Sequence, residues 1–135
     1  MAVLVTDAGM VPDDWHEGFL PLGGQGRALD LPSAALTRDQ RAWLEQALPG
    51  LALIRLGLRH FGDTAALDLA RALRGLGFRG RLRAHGAVLA RSYTLLRRAG
   101  FDEVELDNDQ ARLQPPEHWH NETGWQPRPL AAMEP

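Results

Sequence analysis

An apolar run in the middle of the chain constrains the fold more than any other feature. Residues 51–58 are almost all apolar, and such a run is typical of a strand that is buried on both faces of a parallel sheet. Segments with helical spacing of apolar residues precede and follow it, which favours a β-α-β arrangement. We therefore expect an α/β fold in which this run forms the central strand.

Helices on both sides of this strand are predicted from caps and apolar spacing. Thr37 and Gln40 form a capping box, in which each side chain meets a backbone amide, so a helix starts after Thr37 and ends at Pro49. A second helix begins at Asp63 or Thr64, where either side chain can serve as the cap. The other predicted elements are a strand over residues 81–85, in which apolar and polar residues alternate, a helix over residues 87–99 that ends at a left-handed Gly100, and a strand over residues 104–106.

The order β-α-β-α-β makes right-handed crossovers and a parallel sheet the default arrangement. Residues 3–11 add a small hairpin that turns at Asp7-Ala8-Gly9, whereas residues 13–33 are rich in proline and glycine and are predicted to be irregular. We therefore expect an α/β fold with a small, mostly parallel sheet, an N-terminal hairpin and an irregular C-terminal tail. A length of 135 residues suits one domain, predicted over residues 1–126, and residues 127–135 are predicted to form a flexible tail.

Two residue types are missing from the sequence, and their absence excludes several kinds of chemistry. There is no cysteine, so thiolate nucleophiles, disulfides and the usual iron–sulfur ligands are excluded. There is also no lysine, which excludes Walker-type phosphate loops and Schiff-base catalysis. No apolar run approaches the ~20 residues of a membrane span, and the N-terminus has no basic leader, so we expect a cytoplasmic protein with no membrane association.

The lysine and arginine complement of 15 is therefore all arginine, and it is unevenly distributed. Eight arginines lie between Arg71 and Arg98 with no acidic residue among them, and five acidic residues follow between Asp102 and Asp109. One interpretation is a solvated face of the kind that a lysine-free sequence carries, and the other is a docking surface for an anion or an acidic protein. The candidate docking residues are Arg79, Arg81, Arg91, Arg97 and Arg98.

Two short motifs are similar to known ligand sites but lie in the wrong context. Residues 75–80 match the GxGxxG pattern of dinucleotide-binding proteins, yet here the glycines close a helix and open a strand, so we interpret them as a turn. His118 and His120 flank a tryptophan, but a metal site needs a third ligand and a rigid strand to hold them. We predict no cofactor, no bound metal and no nucleic-acid partner.

The strongest candidate site follows from geometry, because ligands of open parallel sheets bind beyond the carboxyl ends of the strands. The residues near these ends that carry polar groups or open the next helix are Arg59, His60, Asp63, Arg83, His85 and Gly86. A helix N-terminus with Arg59 and Arg83 nearby would hold an oxyanion such as sulfite or a phosphate. His60 with Asp63 would form an acid–base pair. Ordinary helix caps and a solvated edge also explain these residues.

Several stretches along the chain together form a family pattern. They are Asp13-Asp14-Trp15, Phe61, Asp63, residues 69–74, residues 77–84, residues 96–106, Gln114-Pro115 and Trp125-Gln126. With these residues the sequence resembles the bacterial family catalogued as domain of unknown function 934, over residues 53–106 and more loosely over residues 6–125. It departs from that family in two places. The usual Asp-Gly-Arg-Gly stretch is present only as Asp63, and Arg91-Ser92 stand where relatives carry an acid and a glutamine.

The resemblance implies a pathway rather than a mechanism. Genes of this family sit beside those for assimilatory sulfite reductase, which implies an accessory protein that docks to a sulfite-reduction enzyme or its electron donor. The alternative is a small enzyme, or a protein that binds an oxyanion or a phosphorylated ligand at the strand ends. A third possibility is a homodimer held by Trp119 and Trp125. We favour the non-catalytic role, because the chain has no cysteine and has lost part of the family's polar motif.

Overall fold

Six strands and five α-helices make up residues 2–125, the part of the chain that the computed structural model describes. The strands are β1 (Val3–Thr6), β2 (Gly9–Pro12), β3 (Ala28–Pro32), β4 (Leu53–Leu58), β5 (Arg81–Gly86) and β6 (Glu103–Leu106). The helices are α1 (Arg38–Ala47), α2 (Thr64–Gly75), α3 (Tyr93–Ala99), α4 (Asn108–Leu113) and α5 (Pro116–Trp125). Short 3₁₀ helices at Leu48–Gly50 and Ala90–Ser92 follow α1 and precede α3.

All six strands form one sheet in the order β2-β1-β6-β5-β4-β3. Strands β3 to β6 are parallel, whereas β1 is antiparallel to both β2 and β6. The α/β class and the N-terminal hairpin are thus confirmed. The expected mostly parallel sheet is wrong, because the hairpin joins the same sheet beside β6 and makes it mixed. For the same reason β4 is an interior strand but not the central one.

The helices contribute to a single apolar core on one face of the sheet. Strands β3 to β6 are consecutive both in sequence and in space, and right-handed crossovers that always advance in one direction place every crossover helix on the same side. The buried residues that this core shares include Leu44, Leu69, Leu73, Tyr93, Leu96 and Trp119 from helices, and Ile54, Leu56, Leu82, Ala84 and Val104 from strands. Within residues 2–125 the opposite face therefore has no helical layer, and we call it the helix-free face.

Strand β3 lies inside the segment that the sequence predicts to be irregular. Leu29 and Leu31 are buried in the core, and β3 pairs in parallel with β4 along its whole length. Its other edge is partly covered by Leu20, which exchanges backbone hydrogen bonds with Ala28 and Asp30. Strand β3 is only five residues long and lies next to glycine-rich sequence. Its alternation of apolar and polar residues is therefore too short to identify a strand from the sequence alone.

Helix boundaries differ from the prediction mainly after β5. The capping box of α1 is confirmed, and so is the left-handed stop at Gly100, which has φ +117°. The third helix begins at Tyr93 rather than at residue 87, and α4 and α5 follow β6, ahead of the predicted tail. Residues 127–135 lie outside the described residues. No helix within residues 2–125 is both long enough and apolar enough to cross a membrane.

Candidate functional site

Asp63 is a buried charged residue at the carboxyl edge, the side of the sheet at which β3 to β6 end. It is the N-cap residue of α2, but its side chain makes no capping hydrogen bond. Instead, one carboxylate oxygen accepts hydrogen bonds from the Ser33 hydroxyl, from the Arg59 backbone N–H at 2.9 Å and from Arg59 Nε at 3.4 Å. The predicted capping role is therefore wrong, because β3 brings Ser33 next to the carboxylate.

The environment of Asp63 makes it a poor base. Burial disfavours the charged carboxylate, but the hydrogen bonds from the Arg59 backbone, Ser33 and the Arg59 side chain outweigh burial and hold the pKa of Asp63 well below its usual value. A carboxylate with such a low pKa is ionised at neutral pH and takes up a proton only weakly. Its geometry suits a structural anion that fixes the chain around it.

The chain that Asp63 fixes is the loop of residues 59–62, which we call the docking loop. It is closed by the Asp63 N–H, which donates to the His60 carbonyl at 3.2 Å, and by the bonds from Arg59 to the Asp63 carboxylate. Phe61 projects from this loop with 59% of its surface exposed, and His60 is exposed beside it. Within the described chain, no hydrogen bond joins the His60 side chain to Asp63. The predicted acid–base pair is not assembled.

The loop that follows β5 lies directly beside the docking loop. The Ala87 N–H donates to the Leu58 carbonyl at 3.1 Å, which joins the ends of β5 and β4. Gly86 permits this approach, since it has φ +90° and a Cβ there would lie 2.6 Å from the Leu58 oxygen. Gly86 does not open a helix, because α3 begins only at Tyr93. The helix N-terminus predicted to hold an oxyanion is therefore absent from this position.

Arg83 is buried in the helix-free face rather than exposed at the strand ends. Its side chain is 0% exposed and pairs with Glu103 at 2.7 Å, Glu105 at 2.8 Å and Asp13 at 3.2 Å. Burial opposes the guanidinium charge, but hydrogen bonds and charge attraction from these carboxylates raise the pKa of Arg83 above its usual value. Arg83 is not placed with Arg59 and has no surface open to a ligand.

His85 also lies on the helix-free face, across Gly57 from Asp30. His85 Nε2 is 3.4 Å from Asp30 Oδ1, and the missing side chain of Gly57 leaves room for the ring. Burial, with a further contribution from the positive charge of Arg55, lowers the pKa of His85. The imidazole is therefore neutral at physiological pH.

The candidate docking arginines do not form one surface. Arg81 pairs with Glu103 at 2.9 Å and Asp14 at 2.7 Å, and Arg97 pairs with Asp7 at 2.9 Å, so both are engaged within the chain. The other three candidates, all exposed, are Arg79 before β5, Arg91 after β5 and Arg98 near the end of α3. Neither Arg79 nor Arg91 has a hydrogen bond or ion pair to any residue in the described part of the chain.

The fold and the carboxyl edge together define the class of protein. It is an α/β protein with a mixed sheet, and ion pairs cover the helix-free face of that sheet. At the carboxyl edge, a buried carboxylate holds a loop that carries an exposed aromatic residue. The family follows from comparison of the sequence. The model of the family described as bacterial protein of unknown function (DUF934) matches residues 34–123, and the chain belongs to this family. No curated protein and no solved structure gives a significant match.

Two residues of this edge were missed as site residues by sequence reasoning. Ser33 was assigned to an irregular segment, and only the pairing of β3 with β4 brings it to Asp63. Phe61 was recognised as part of the family pattern but received no role. A usable signal was present, because a large aromatic between His60 and Gly62 follows the end of the apolar strand and has no place in the core pattern.

Proposed function

We propose that this chain is a non-catalytic accessory protein of assimilatory sulfite reduction, and that it docks through the docking loop to a sulfite-reduction enzyme or its electron donor. The observation that carries the proposal is Phe61, a large aromatic that is 59% exposed. Its loop is held in place by the hydrogen bonds between Arg59 and the buried Asp63 carboxylate. A partner with a matching apolar pocket would bury this ring.

The physics of interfaces supports the choice of this loop. Binding energy concentrates in a few anchors, which are often aromatic, and a loop that is already ordered loses less conformational entropy when it binds. Asp63 supplies that order, because its buried carboxylate binds the backbone and side chain of Arg59. Phe61, two residues later, remains exposed to solvent. The same arrangement gives both Phe61 and Asp63, two residues of the family pattern, a physical role.

The contacts of the polar residues proposed for catalysis favour a docking role over a catalytic one. One oxygen of Asp63 already accepts three hydrogen bonds, Arg83 is enclosed by carboxylates, and the His60 side chain has no hydrogen-bond partner among residues 2–125. The sulfite-reduction setting itself comes from the family resemblance, whose genes sit beside those for sulfite reductase. The two lines of support are independent, so the experiment must test the surface and the pathway together.

The test is affinity capture of the tagged chain from cells growing on sulfate. We expect a sulfite-reductase protein or its electron donor, identified by mass spectrometry, to copurify with the wild-type chain and to be lost with Phe61→Ala. Leu95→Ala is the matched control, because Leu95 is 48% exposed and belongs to α3 rather than to the docking loop. Recovery of no protein of this pathway, or equal recovery by Phe61→Ala, overturns the proposal. A rise in melting temperature of the isolated chain with sulfite would instead support the small oxyanion-binding protein.

A further inference from the structure

We infer that the partner of the docking loop presents an acidic segment that also carries apolar side chains. Its carboxylates pair with Arg59 and Arg91, and its apolar groups receive Phe61. The inference rests on the proposed docking function and specifies the chemistry of the partner at that same site.

The two arginines lie on neighbouring loops. The hydrogen bond from the Ala87 N–H to the Leu58 carbonyl, together with the close approach at Gly86, holds the start of the second loop against the end of β4. Arg91 lies in the short 3₁₀ helix Ala90–Ser92 that follows this second loop, and Arg59 begins the docking loop. One partner segment that crosses the carboxyl edge can therefore reach both.

Both guanidinium groups are available to a partner. The Arg59 side chain is 62% exposed and reaches Asp63 only through Nε at 3.4 Å, and that carboxylate oxygen already accepts two other hydrogen bonds. Arg91 is exposed, and no ion pair or hydrogen bond links it to any residue that the structure describes. An exposed arginine presents a planar set of donors that suits carboxylates on an incoming chain.

No carboxylate on this side of the edge forms an ion pair with Arg91 within the described residues. The carboxylates there are engaged elsewhere: Asp107 caps α4, Asp109 pairs with Arg112 at 3.0 Å, and Glu122 accepts from the Thr94 hydroxyl at 3.4 Å. Glu122 lines the same shallow groove as Arg91, yet no ion pair within the described residues joins them. The Arg91 guanidinium and the two terminal nitrogens of Arg59 are therefore open to new partners, and the carboxylates of an acidic segment complement them.

The same groove offers a place for apolar side chains of the partner. It is lined beside Arg91 by Leu89 and Ala90 on one side and by Gln114 and His118 on the other. Leu89 is half-buried, so part of its side chain is open to the groove. Carboxylates alone would use only the arginines, whereas a segment with interspersed apolar residues would also use this groove and Phe61.

A synthetic probe tests the chemistry without knowledge of the partner's identity. We propose fluorescence anisotropy with a short labelled peptide of alternating glutamate and leucine, and with the same peptide carrying glutamine in place of glutamate. The full chain should bind the glutamate peptide in a salt-sensitive way. The double variant Arg59→Gln with Arg91→Gln should bind it about tenfold or more weakly, and so should Phe61→Ala. Arg79→Gln, an exposed arginine before β5, is the matched control and should bind like the wild type.

The outcomes separate this inference from the proposed function. Equal binding of the glutamine peptide, or equal weakening by Arg79→Gln, shows that no specific acidic segment is recognised and overturns the inference. A chain that dimerises in solution and becomes monomeric with Phe61→Ala also overturns it, because a second copy then occupies the loop. Specific binding of the glutamate peptide, when affinity capture recovers no sulfite-reduction protein, supports the inference and rejects only the pathway.

Discussion

Asp63 stabilises the carboxyl edge through tertiary contacts rather than as a helix cap. Its carboxylate is 1% exposed and joins three parts of the chain: the end of β3 through Ser33, the start of the docking loop through Arg59, and α2, which it precedes. A capping aspartate would instead accept from amides of its own helix. The two roles predict different consequences of substitution.

Asp63→Ala should lower the free energy of unfolding by about 1–3 kcal/mol, because the buried Ser33 hydroxyl and the Arg59 N–H lose their acceptor. Asp63→Asn should cost less, since a single oxygen accepts all three hydrogen bonds and an amide oxygen can take its place. Urea denaturation of the two variants at neutral pH measures the difference. If Asn costs as much as Ala, the charge rather than the hydrogen bonds is the stabilising feature.

The pH dependence of stability follows from the same group. The folded-state pKa of Asp63 lies below that of the unfolded chain, which is about 4. The unfolded state therefore binds more protons on acidification, and the stabilisation is complete above about pH 4 and is lost as the pH falls through the folded pKa. The stability difference between the wild type and Asp63→Asn should shrink below about pH 4. A constant difference across this range would contradict the assignment.

At the scale of elements, α4 acts as a clamp on the loop between β5 and α3. Gln110 donates to the Gly86 carbonyl at 2.7 Å, and Gln114, one turn later, donates to the Val88 carbonyl at 3.1 Å and accepts from the Ala90 N–H at 2.8 Å. These bonds satisfy backbone groups of a segment that is neither helix nor strand. The clamp explains why residues 87–89 are held in place without being helical.

Gln114→Ala should lower the free energy of unfolding by about 1–3 kcal/mol, because the Ala90 N–H and the Val88 carbonyl lose their partner. The effect should be local first: hydrogen exchange at the Ala90 amide should accelerate, while exchange in β4 stays slow. Gln46→Ala is the matched control, since Gln46 is exposed on α1. Unchanged exchange at Ala90 would show that the clamp does not hold the loop.

At the scale of the whole molecule, different kinds of interaction cover the two faces of the sheet. The helical face is an apolar core, whereas the helix-free face is closed by the segment between β2 and β3. Asp13 of that segment forms an ion pair with Arg83. The centroid of the Phe19 ring lies 3.9 Å from Cζ of Arg55 and 5.8 Å from Cζ of Arg83. Ion pairs and cation–π contacts thus replace the second helical layer of a doubly wound sheet.

Arg83→Met should cost about 3–5 kcal/mol of unfolding free energy, because removal of one member of a buried ion pair leaves its partners uncompensated. Glu103 is 5% exposed and would keep only Arg81 as an ionic partner. Arg79→Met, at an exposed arginine with no described partner, should change stability by less than about 0.5 kcal/mol. Equal stability of Arg83→Met and the wild type would mean that apolar packing closes this face equally well.

The local signals in the sequence were sufficient for most of the elements but not for their assembly. The capping box at Thr37 and the glycine at residue 100 act within one turn of chain, so they were readable and are confirmed. The alternation in β5 was also readable, yet it did not reveal that Arg83 would be fully buried. Burial of an arginine depends on Glu103, Glu105 and Asp13, which lie far away in sequence.

The sequence by itself determined the α/β class, the succession of helices and strands from α1 to β6, and the family, because these depend on local periodicity and on short residue patterns. Only the tertiary structure decided where the hairpin pairs, which made the sheet mixed, and which groups meet at the carboxyl edge. Ser33 reaches Asp63, and His60 does not, because strand order rather than sequence distance sets these contacts. The tertiary structure also shows that Phe61 is exposed while its loop is held by the buried Asp63, and these two facts make it a candidate anchor.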